Sequence, residues 1–328
     1  MAGFVDAPTL KAWLSERSEI ALLDVREHGQ YGEGHPFFAV PLPYSRLELR
    51  LPALAPNPAV RLVLCDGGDG VAARAAVRAA ALGYDNLFIL HGGIAAWKDA
   101  GYTLYAGVNV PSKTFGELVE HERQTPRLTP QALDAMRSAG ENVVIVDGRP
   151  FAEYRTMNIP GGICCPNGEL ALRIGDIAPD PRTTIVVNCA GRTRSIIGAQ
   201  TLIDFGIANP VYALENGTQG WFLAGLELET GASRRYADTI GTADIGELQA
   251  RARRLADAHG VAFVAPAEIA RWLSDRSRTT YLLDVRTPEE FAEHGVTGFA
   301  HAPGGQLIQA TDQWVGVSGA RLVLLDSE

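Results

Sequence analysis

The sequence predicts an α/β protein made of tandem copies of one unit, each a parallel sheet flanked by helices on both faces. An apolar run that ends in Asp-x-Arg occurs three times, with its aspartate at Asp24, Asp147 and Asp284. A second apolar run follows about forty residues later in each copy, and helical segments lie between the runs. Strands that alternate with helices at this spacing are typical of a parallel sheet covered on both sides.

The first recurring run is predicted to be a buried strand. Short continuous apolar runs are typical of strands that are buried on both faces of a sheet. The approach to this strand also repeats, because Trp13-Leu14-Ser15 of copy one returns as Trp272-Leu273-Ser274 in copy three. The three runs are Leu22-Leu23-Asp24-Val25-Arg26, Ile145-Val146-Asp147-Gly148-Arg149 and Leu282-Leu283-Asp284-Val285-Arg286.

The second recurring run is also predicted to be a strand, and the loop after it is the predicted site. In copies one and two this loop contains glycine and leads into a helix, a short strand and a helix with Trp97 or Trp221. Ligands of such sheets bind beyond the carboxyl ends of the strands, where loops lead into helices. The three runs are Arg61-Leu62-Val63-Leu64, Thr184-Ile185-Val186-Val187 and Arg321-Leu322-Val323-Leu324.

The repeat also predicts the domain boundaries. We predict a first copy at 1–106, a linker at 107–114, a second copy at 115–231, a linker helix at 232–257 and a third copy at 258–328. The third copy ends just past its second recurring strand, whereas copy one continues for about forty residues beyond the matching point. We therefore expect a truncated third copy and a fragment of a longer tandem protein.

The composition argues against several classes of function. The net charge of the 328 residues is −9, which gives a nucleic-acid role little electrostatic support. We expect no secretory signal, and no apolar run approaches the ~20 residues that span a bilayer. The four cysteines do not suggest a disulfide scaffold, and the seven histidines form no metal-binding pair. We therefore predict a cytoplasmic protein without a metal or another cofactor.

The loop after the second strand of copy two is suited to thiol chemistry. A helix N-terminus, nearby arginines and convergent backbone N–H groups all favour the thiolate form of a cysteine. Arg192 and Arg194 can also fork onto the oxygen atoms of an oxyanion. We expect the following helix to begin at an N-cap, Ser195, and to end at Gly206. The loop reads Asn188-Cys189-Ala190-Gly191-Arg192-Thr193-Arg194-Ser195.

These motifs resemble the rhodanese family. The matching features are Cys189-x4-Arg194-Ser195 between strand and helix, the Asp-x-Arg strand end, Gly217-x3-Trp221, and Glu153-Tyr154 followed by Ile159-Pro160-Gly161-Gly162. The resemblance implies a double displacement, in which Cys189 takes a sulfur atom from a donor such as thiosulfate and passes it to cyanide or a thiol. The partners implied are therefore a small-molecule sulfur donor and a thiophilic acceptor.

The resemblance also implies roles for the surrounding residues and an order for the strands. Arg192 and Arg194 would hold the oxyanion, and Arg149 would line or brace the pocket. The implied sheet order is 1-5-4-2-3, so a copy without its last strand leaves unfilled hydrogen bonds. We expect another segment to take that place or the third copy to be poorly ordered. The implied substrate-binding residues are Arg149, Ala190, Gly191, Arg192, Thr193, Arg194 and Ser195.

The other copies lack parts of this chemistry. Cys65 lies 41 residues after Asp24, in register with Cys189, but its loop has Asp66 and Asp69 in place of arginines. Carboxylates raise the pKa of a thiol and repel an anionic donor, so we expect copy one to be inactive or weak. Copy three has Leu325 at the corresponding position. The adjacent cysteines Cys164-Cys165 are predicted to serve packing.

Three alternatives remain open at the level of sequence. Cysteine phosphatases and arsenate reductases use Cys-x5-Arg, whereas four residues separate Cys189 from Arg194 here, and a shorter loop fits a sulfur atom better than a phosphate. A non-catalytic binding or regulatory module is the second alternative, and it requires Cys189 to be dispensable. The third is that Arg149 forms only a structural ion pair, because copies one and three have the same arginine.

Overall fold

The structure is a computed structural model that describes residues 2–241 and 245–327. Within these residues the strands form two five-stranded sheets and one three-stranded sheet. All paired strands in the three sheets are parallel, and helices connect them. The predicted α/β class is therefore confirmed. No helix in the described ranges is both long and apolar enough to cross a membrane.

Copy one forms the first five-stranded sheet, in the order β1-β5-β4-β2-β3. This order is the one that the family resemblance implies. The strands are β1 Gly3–Val5, β2 Ile20–Asp24, β3 Val40–Pro41, β4 Arg61–Cys65 and β5 Leu87–Leu90. The helices are α1 Ala7–Trp13, α2 His28–Glu33, α3 Leu47–Leu54, α4 Val71–Ala81 and α5 Gly93–Asp99.

Copy two repeats the same topology, with the strand order β6-β10-β9-β7-β8. The strands are β6 Arg127–Leu128, β7 Val143–Asp147, β8 Ile163–Cys164, β9 Thr184–Asn188 and β10 Val211–Leu214. The helices are α6 Val110–Arg123, which precedes the sheet, then α7 Pro130–Ser138, α8 Phe151–Thr156, α9 Leu170–Ile177, α10 Thr193–Phe205 and α11 Gly217–Leu223. A further helix, α12, follows at Ile245–Ala258.

Copy three contains a three-stranded sheet in the order β12-β11-β13. Among the described residues no strand fills the place beside β13, so β13 is an edge strand and its Leu322 and Leu324 are about half exposed. The sheet is thus truncated as predicted, but no described segment completes it. The elements are α13 Pro266–Ser274, β11 Thr280–Asp284, α14 Pro288–His294, β12 Ala300–His301, α15 Gly304–Gln309 and β13 Arg321–Leu325.

The chain divides into two compact units. The first contains Met1–Pro111, Val264–Ala302 and Ala310–Ser327. The second contains Ser112–Phe263 and the short segment Pro303–Gln309. Within the first unit, Tyr281 on β11 donates a hydrogen bond of 2.5 Å to the carbonyl of Leu54 at the end of α3, which ties copy three to copy one.

The Asp-x-Arg strand ends form the same ion pair in all three copies. In copy two the Arg149 guanidinium forks onto Asp147, with contacts of 2.8 and 2.7 Å, and its Nη2 also donates to the carbonyl of Met157 at 2.6 Å. The arginine therefore ties the end of β7 to the end of α8. Both side chains are buried, so neither charge is screened by water. Arg26 and Arg286 make the equivalent bonds to Asp24 and Gly34 and to Asp284 and His294.

We expect Arg149→Met to lower the free energy of unfolding by about 3–5 kcal/mol, because the change leaves the buried Asp147 carboxylate without its cation. The matched control is Arg182→Met, since Arg182 pairs with Asp180 at the same Asp-x-Arg spacing, in the turn before β9, but is 87% exposed. That control should cost less than about 1 kcal/mol. Urea unfolding of both variants is the measurement, and equal losses would contradict the bracing role.

Candidate functional site

The position of Cys189 is set by β9, which lies inside the second sheet. Ile185 and Val187 pack into the core on one face of this sheet, and Val186 packs into the core on the other. The strand ends at Asn188, whose Nδ2 donates to Asp147 at 3.0 Å. Cys189 is therefore the first residue beyond a strand that is fixed on both faces, and only 1% of it is exposed.

The loop after Cys189 presents unpaired backbone donors. The backbone N–H groups of six consecutive residues, Ala190 to Ser195, make no hydrogen bond to an oxygen or nitrogen acceptor among the residues that the structure describes. The first N–H groups of a helix have no partner within it, and here no side chain caps them. Successive free N–H groups of this type form an anion-binding concavity, called a nest.

The α10 helix begins earlier than the sequence analysis predicted. It starts at Thr193 with Arg192 as its N-cap residue, because the Arg192 carbonyl accepts from the N–H of Ile196. Ser195 therefore lies in the first turn and is not the N-cap. The predicted C-terminal stop is confirmed, since Gly206 adopts the left-handed conformation with φ of 79°.

Hydrogen bonds to helix α11 orient two peptides of the loop so that their N–H groups point away from α11. The carbonyls of Cys189 and Ala190 accept from the N–H groups of Thr218 and Gln219, at 2.8 and 3.1 Å. In a trans peptide the C=O and N–H bonds point in opposite directions. The N–H groups of Ala190 and Gly191 are therefore directed away from α11 and remain available to a ligand.

This close approach of α11 requires a glycine. Gly217 has a φ of +53°, and a Cβ at this position would lie 2.1 Å from the carbonyl oxygen of Cys189. Any larger residue would push α11 away from the loop. Gly217 is the glycine of the Gly-x3-Trp motif, so the motif has a direct structural reason.

The Cys189 thiol contacts one side-chain hydroxyl. Its Sγ lies 3.6 Å from the Oγ of Ser195, which in turn donates to the carbonyl of Arg192 at 2.8 Å. Ser195 is fully buried. The hydroxyl accepts from the thiol, and by rotation it can donate to a thiolate.

The guanidinium of Arg192 is occupied by two carboxylates of α6. It forks onto Glu117 at 2.7 and 2.9 Å and also contacts Glu120. Gly116 lets α6 approach the start of α10 closely, because a Cβ at this position would lie only 2.9 Å from the methyl group of Thr193. This pair of carboxylates was not predicted from the sequence, although their spacing of one helical turn on α6 was an available signal.

The guanidinium of Arg194 is also paired. It forks onto Glu153 of α8, with both contacts at 2.8 Å, and its Nη1 donates to Gln306 of α15 at 2.9 Å. Burial would lower the pKa of Arg194, but the hydrogen bond and charge of Glu153, with a smaller contribution from Cys189, raise the pKa above its ordinary value. Glu153 belongs to the Glu-Tyr motif, although its role could not be read from that motif.

The structure therefore brings some predicted residues together and separates others. The six loop residues from Ala190 to Ser195 directly follow Cys189 and keep their backbone N–H groups unpaired among the described residues, whereas the side chain of Arg149 is occupied by Asp147 and Met157. The loop is less cationic than the sequence analysis supposed, because Glu117, Glu120 and Glu153 balance its two arginines. The backbone donors are its unpaired positive groups.

A protein-family model for the rhodanese-like domain matches residues 6–100 and 129–224. The chain belongs to this family. The crystal structure of a thiosulfate sulfurtransferase from Pseudomonas aeruginosa is similar over 99% of this chain, with 49% identity and a TM-score of 0.96. The match covers 62% of that protein, so the chain spans about three-fifths of its length. An HTH-type transcriptional regulator of Mycobacterium tuberculosis, Rv0324, is 36% identical over 102 residues, which are 31% of this chain and 44% of the regulator.

The rhodanese-like loop of copy one contains an internal anion. The carboxylate of Asp66 accepts from the backbone N–H groups of Gly68 and Ala72, each at 2.9 Å. These are the donors that a ligand would otherwise meet. Burial, with a further contribution from Asp24, raises the pKa of the Cys65 thiol well above its ordinary value. Both features oppose persulfide chemistry in this copy.

The remaining cysteines of the chain are buried. Burial and the nearby Asp147 raise the pKa of Cys164 to about 12, and burial raises the pKa of Cys165 as well. Within the described residues no group of histidine, cysteine and carboxylate side chains could hold a metal ion.

We expect Gly217→Ala to lower the thermal unfolding midpoint and to disrupt the loop, because the added Cβ meets the Cys189 carbonyl. The matched control is Gly225→Ala at the end of α11, where φ is +78° but nothing lies within 4 Å of an added Cβ. The control carries only the backbone strain, about 1 kcal/mol. Similar midpoints for the two variants would argue against the close approach of α11.

We expect Cys65, Cys164 and Cys165 to resist alkylation by iodoacetamide in the native protein at about pH 8. A thiol with a pKa of about 12 is almost entirely protonated at that pH, and only the thiolate reacts. All four cysteines should react in urea, which is the control. Peptide mass spectrometry measures the labelling of native and unfolded protein. Equal labelling of Cys164 in the two states would contradict a buried, protonated thiol at this position.

Proposed function

We propose that copy two is a sulfurtransferase that moves a sulfur atom from thiosulfate, or a similar anionic donor, to cyanide or a thiol through a persulfide on Cys189. The observation that carries this proposal is the run of unpaired N–H groups from Ala190 to Ser195 that directly follows a buried cysteine. The similarity to a thiosulfate sulfurtransferase over nearly the whole chain supports the same chemistry.

The first half-reaction is a displacement at sulfur. The Cys189 thiolate attacks the outer sulfur atom of thiosulfate, a new S–S bond forms, and the S–S bond of thiosulfate breaks. Sulfite leaves with the bonding electron pair. The terminal sulfur of the Cys189 persulfide carries the negative charge that the loop N–H groups stabilise.

The second half-reaction regenerates the enzyme. The carbon atom of cyanide attacks the terminal sulfur, and thiocyanate forms as the bond to Cys189 Sγ breaks. The electron pair returns to Sγ as the thiolate. A thiol acceptor attacks the same sulfur atom and leaves as a persulfide, so donor and acceptor use one site in turn.

The surrounding residues have distinct roles in this proposal. The backbone N–H groups of the loop bind the anion, and the Ser195 hydroxyl donates to the thiolate at a site already 3.6 Å from Sγ. Arg192 and Arg194 act as fixed, carboxylate-paired cations at the rim of the loop. Arg149 supports the strand end beneath it. The short loop, with four residues between Cys189 and Arg194, favours sulfur over phosphate.

We expect Cys189→Ser to abolish thiosulfate:cyanide sulfurtransferase activity, because serine cannot form a persulfide. Cys65→Ser is the matched control from the same position of copy one and should retain wild-type turnover. Thiocyanate formation is the measurement. Full turnover by Cys189→Ser would contradict the catalytic role of Cys189, no turnover by the wild type would favour a non-catalytic module, and hydrolysis of an aryl phosphate without thiosulfate activity would favour a phosphatase.

We expect thiosulfate alone to add one sulfur atom to the peptide that contains Cys189, and cyanide to remove it. Intact-protein and peptide mass spectrometry follow both steps. The Cys65 peptide should remain unchanged, because Asp66 fills the nest of copy one. An added sulfur atom on Cys65 with none on Cys189 would place the chemistry in copy one and contradict the proposal.

A further inference from the structure

We propose that Gln306 is a positioning residue of the donor site, which acts with Glu153 to hold Arg194 so that one edge of its guanidinium stays open for the oxygen atoms of the sulfur donor. The inference rests on the proposed function and adds a residue that lies outside every motif in the sequence. Gln306 accepts a hydrogen bond from Arg194, and the proposal gives it no contact with the reacting atoms.

The segment that contains Gln306 packs against residues of copy two. Pro303–Gln309 belongs to the second compact unit, although the chain on either side belongs to the first. A Cβ at Gly305 would lie only 3.0 Å from the Cβ of Asn167 and 3.3 Å from its backbone nitrogen, so α15 packs closely here. Leu307 is buried in the same segment. Asn167 itself donates to the carbonyl of Arg194 at 2.8 Å.

The hydrogen bonds of Arg194 leave a defined part of its guanidinium unused. A guanidinium has five N–H bonds in a rigid plane. Nη1 donates to Glu153 and to Gln306, and Nη2 donates to the second oxygen of Glu153. These contacts use both N–H bonds of Nη1 and one of Nη2. The N–H of Nε and the second N–H of Nη2 have no acceptor among the side chains and carbonyls that the structure describes.

These two remaining donors form a parallel fork on one side of the guanidinium. Such a fork matches two oxygen atoms bound to one central atom, as in the sulfonate end of thiosulfate. With Glu153 alone, one N–H of Nη1 would remain free and the guanidinium could tilt about the carboxylate. Gln306 removes that freedom with a neutral acceptor, so it fixes the orientation without adding a further negative charge to the three carboxylates already present.

The charge of the acceptor is therefore part of the inference. Glu117, Glu120 and Glu153 already balance the two arginines of the loop. A carboxylate at position 306 would keep the hydrogen bond to Arg194 but would repel an anionic donor. An alanine would remove the hydrogen bond without adding charge. The two substitutions thus separate orientation from electrostatics.

The test compares the two half-reactions of the full chain. In a double displacement, kcat/KM for each substrate reports only its own half-reaction. We expect Gln306→Ala to lower kcat/KM for thiosulfate about threefold to tenfold, the range of one ordinary hydrogen bond, because the guanidinium keeps its fork onto Glu153. The value for cyanide, which has no oxygen atoms for the fork, should stay within about twofold. Gln309→Ala on the same helix is the matched control and should match wild type for both substrates.

The Gln306→Glu variant tests the effect of charge at this position. We expect kcat/KM for thiosulfate to fall in this variant and to recover when the salt concentration rises from about 0.05 to about 0.5 M, because salt screens the added charge. The Ala variant should show no such recovery relative to wild type. Thermal unfolding midpoints equal to that of the wild type exclude a folding defect as the cause.

The outcomes separate this inference from the function on which it rests. A wild type that forms neither thiocyanate nor a persulfide overturns both. An active wild type whose Gln306→Ala variant keeps its kcat/KM for thiosulfate overturns the role of Gln306 alone. Equal losses for thiosulfate and cyanide would also overturn it, since they would indicate a general disturbance of the loop.

Discussion

The site of copy two depends on the pairing of two loop carbonyls with helix α11. The carbonyls of Cys189 and Ala190 accept from the first turn of α11, and planar peptides then direct the corresponding N–H groups to the opposite side. The glycine at 217 permits this approach, and β9 fixes the point at which the loop begins. The proposed anion site is therefore a property of the backbone, and any side chains compatible with that backbone path preserve it.

The arginines of the loop contribute to the site in a less direct way than their charge suggests. Each is bound by carboxylates, so each is held in one orientation and loses little side-chain entropy when a ligand arrives. A free arginine would attract anions more strongly at long range, but it would also bind them without selecting their shape. Paired arginines limit general anion binding and leave the short-range donors of the loop to select the ligand.

Much of the fold and part of the site could be predicted from the sequence. The recurring Asp-x-Arg strand ends and their spacing predicted the parallel sheets, and the same spacing located Cys189 beyond β9. The partners of the arginines could not be predicted, because Glu117 lies 75 residues from Arg192 and Gln306 lies 112 residues from Arg194. Such pairs depend on how the elements pack. The start of α10 was placed three residues late, since serine is a favourable N-cap and the free N–H groups of the loop leave no sequence signal.

Asp66 in copy one has a thermodynamic consequence. Its carboxylate is a tethered ligand whose effective concentration is high and constant, so it occupies the backbone donors of copy one at any concentration of anions in solution. Among the described residues no side chain occupies the loop donors of copy two, so under the proposed function the stability of copy two is linked to the concentration of anions in the surroundings. Under the proposed function, two copies of one fold thus differ in a thermodynamic sense: one is stabilised from within its own chain, and the other by the anion that it binds.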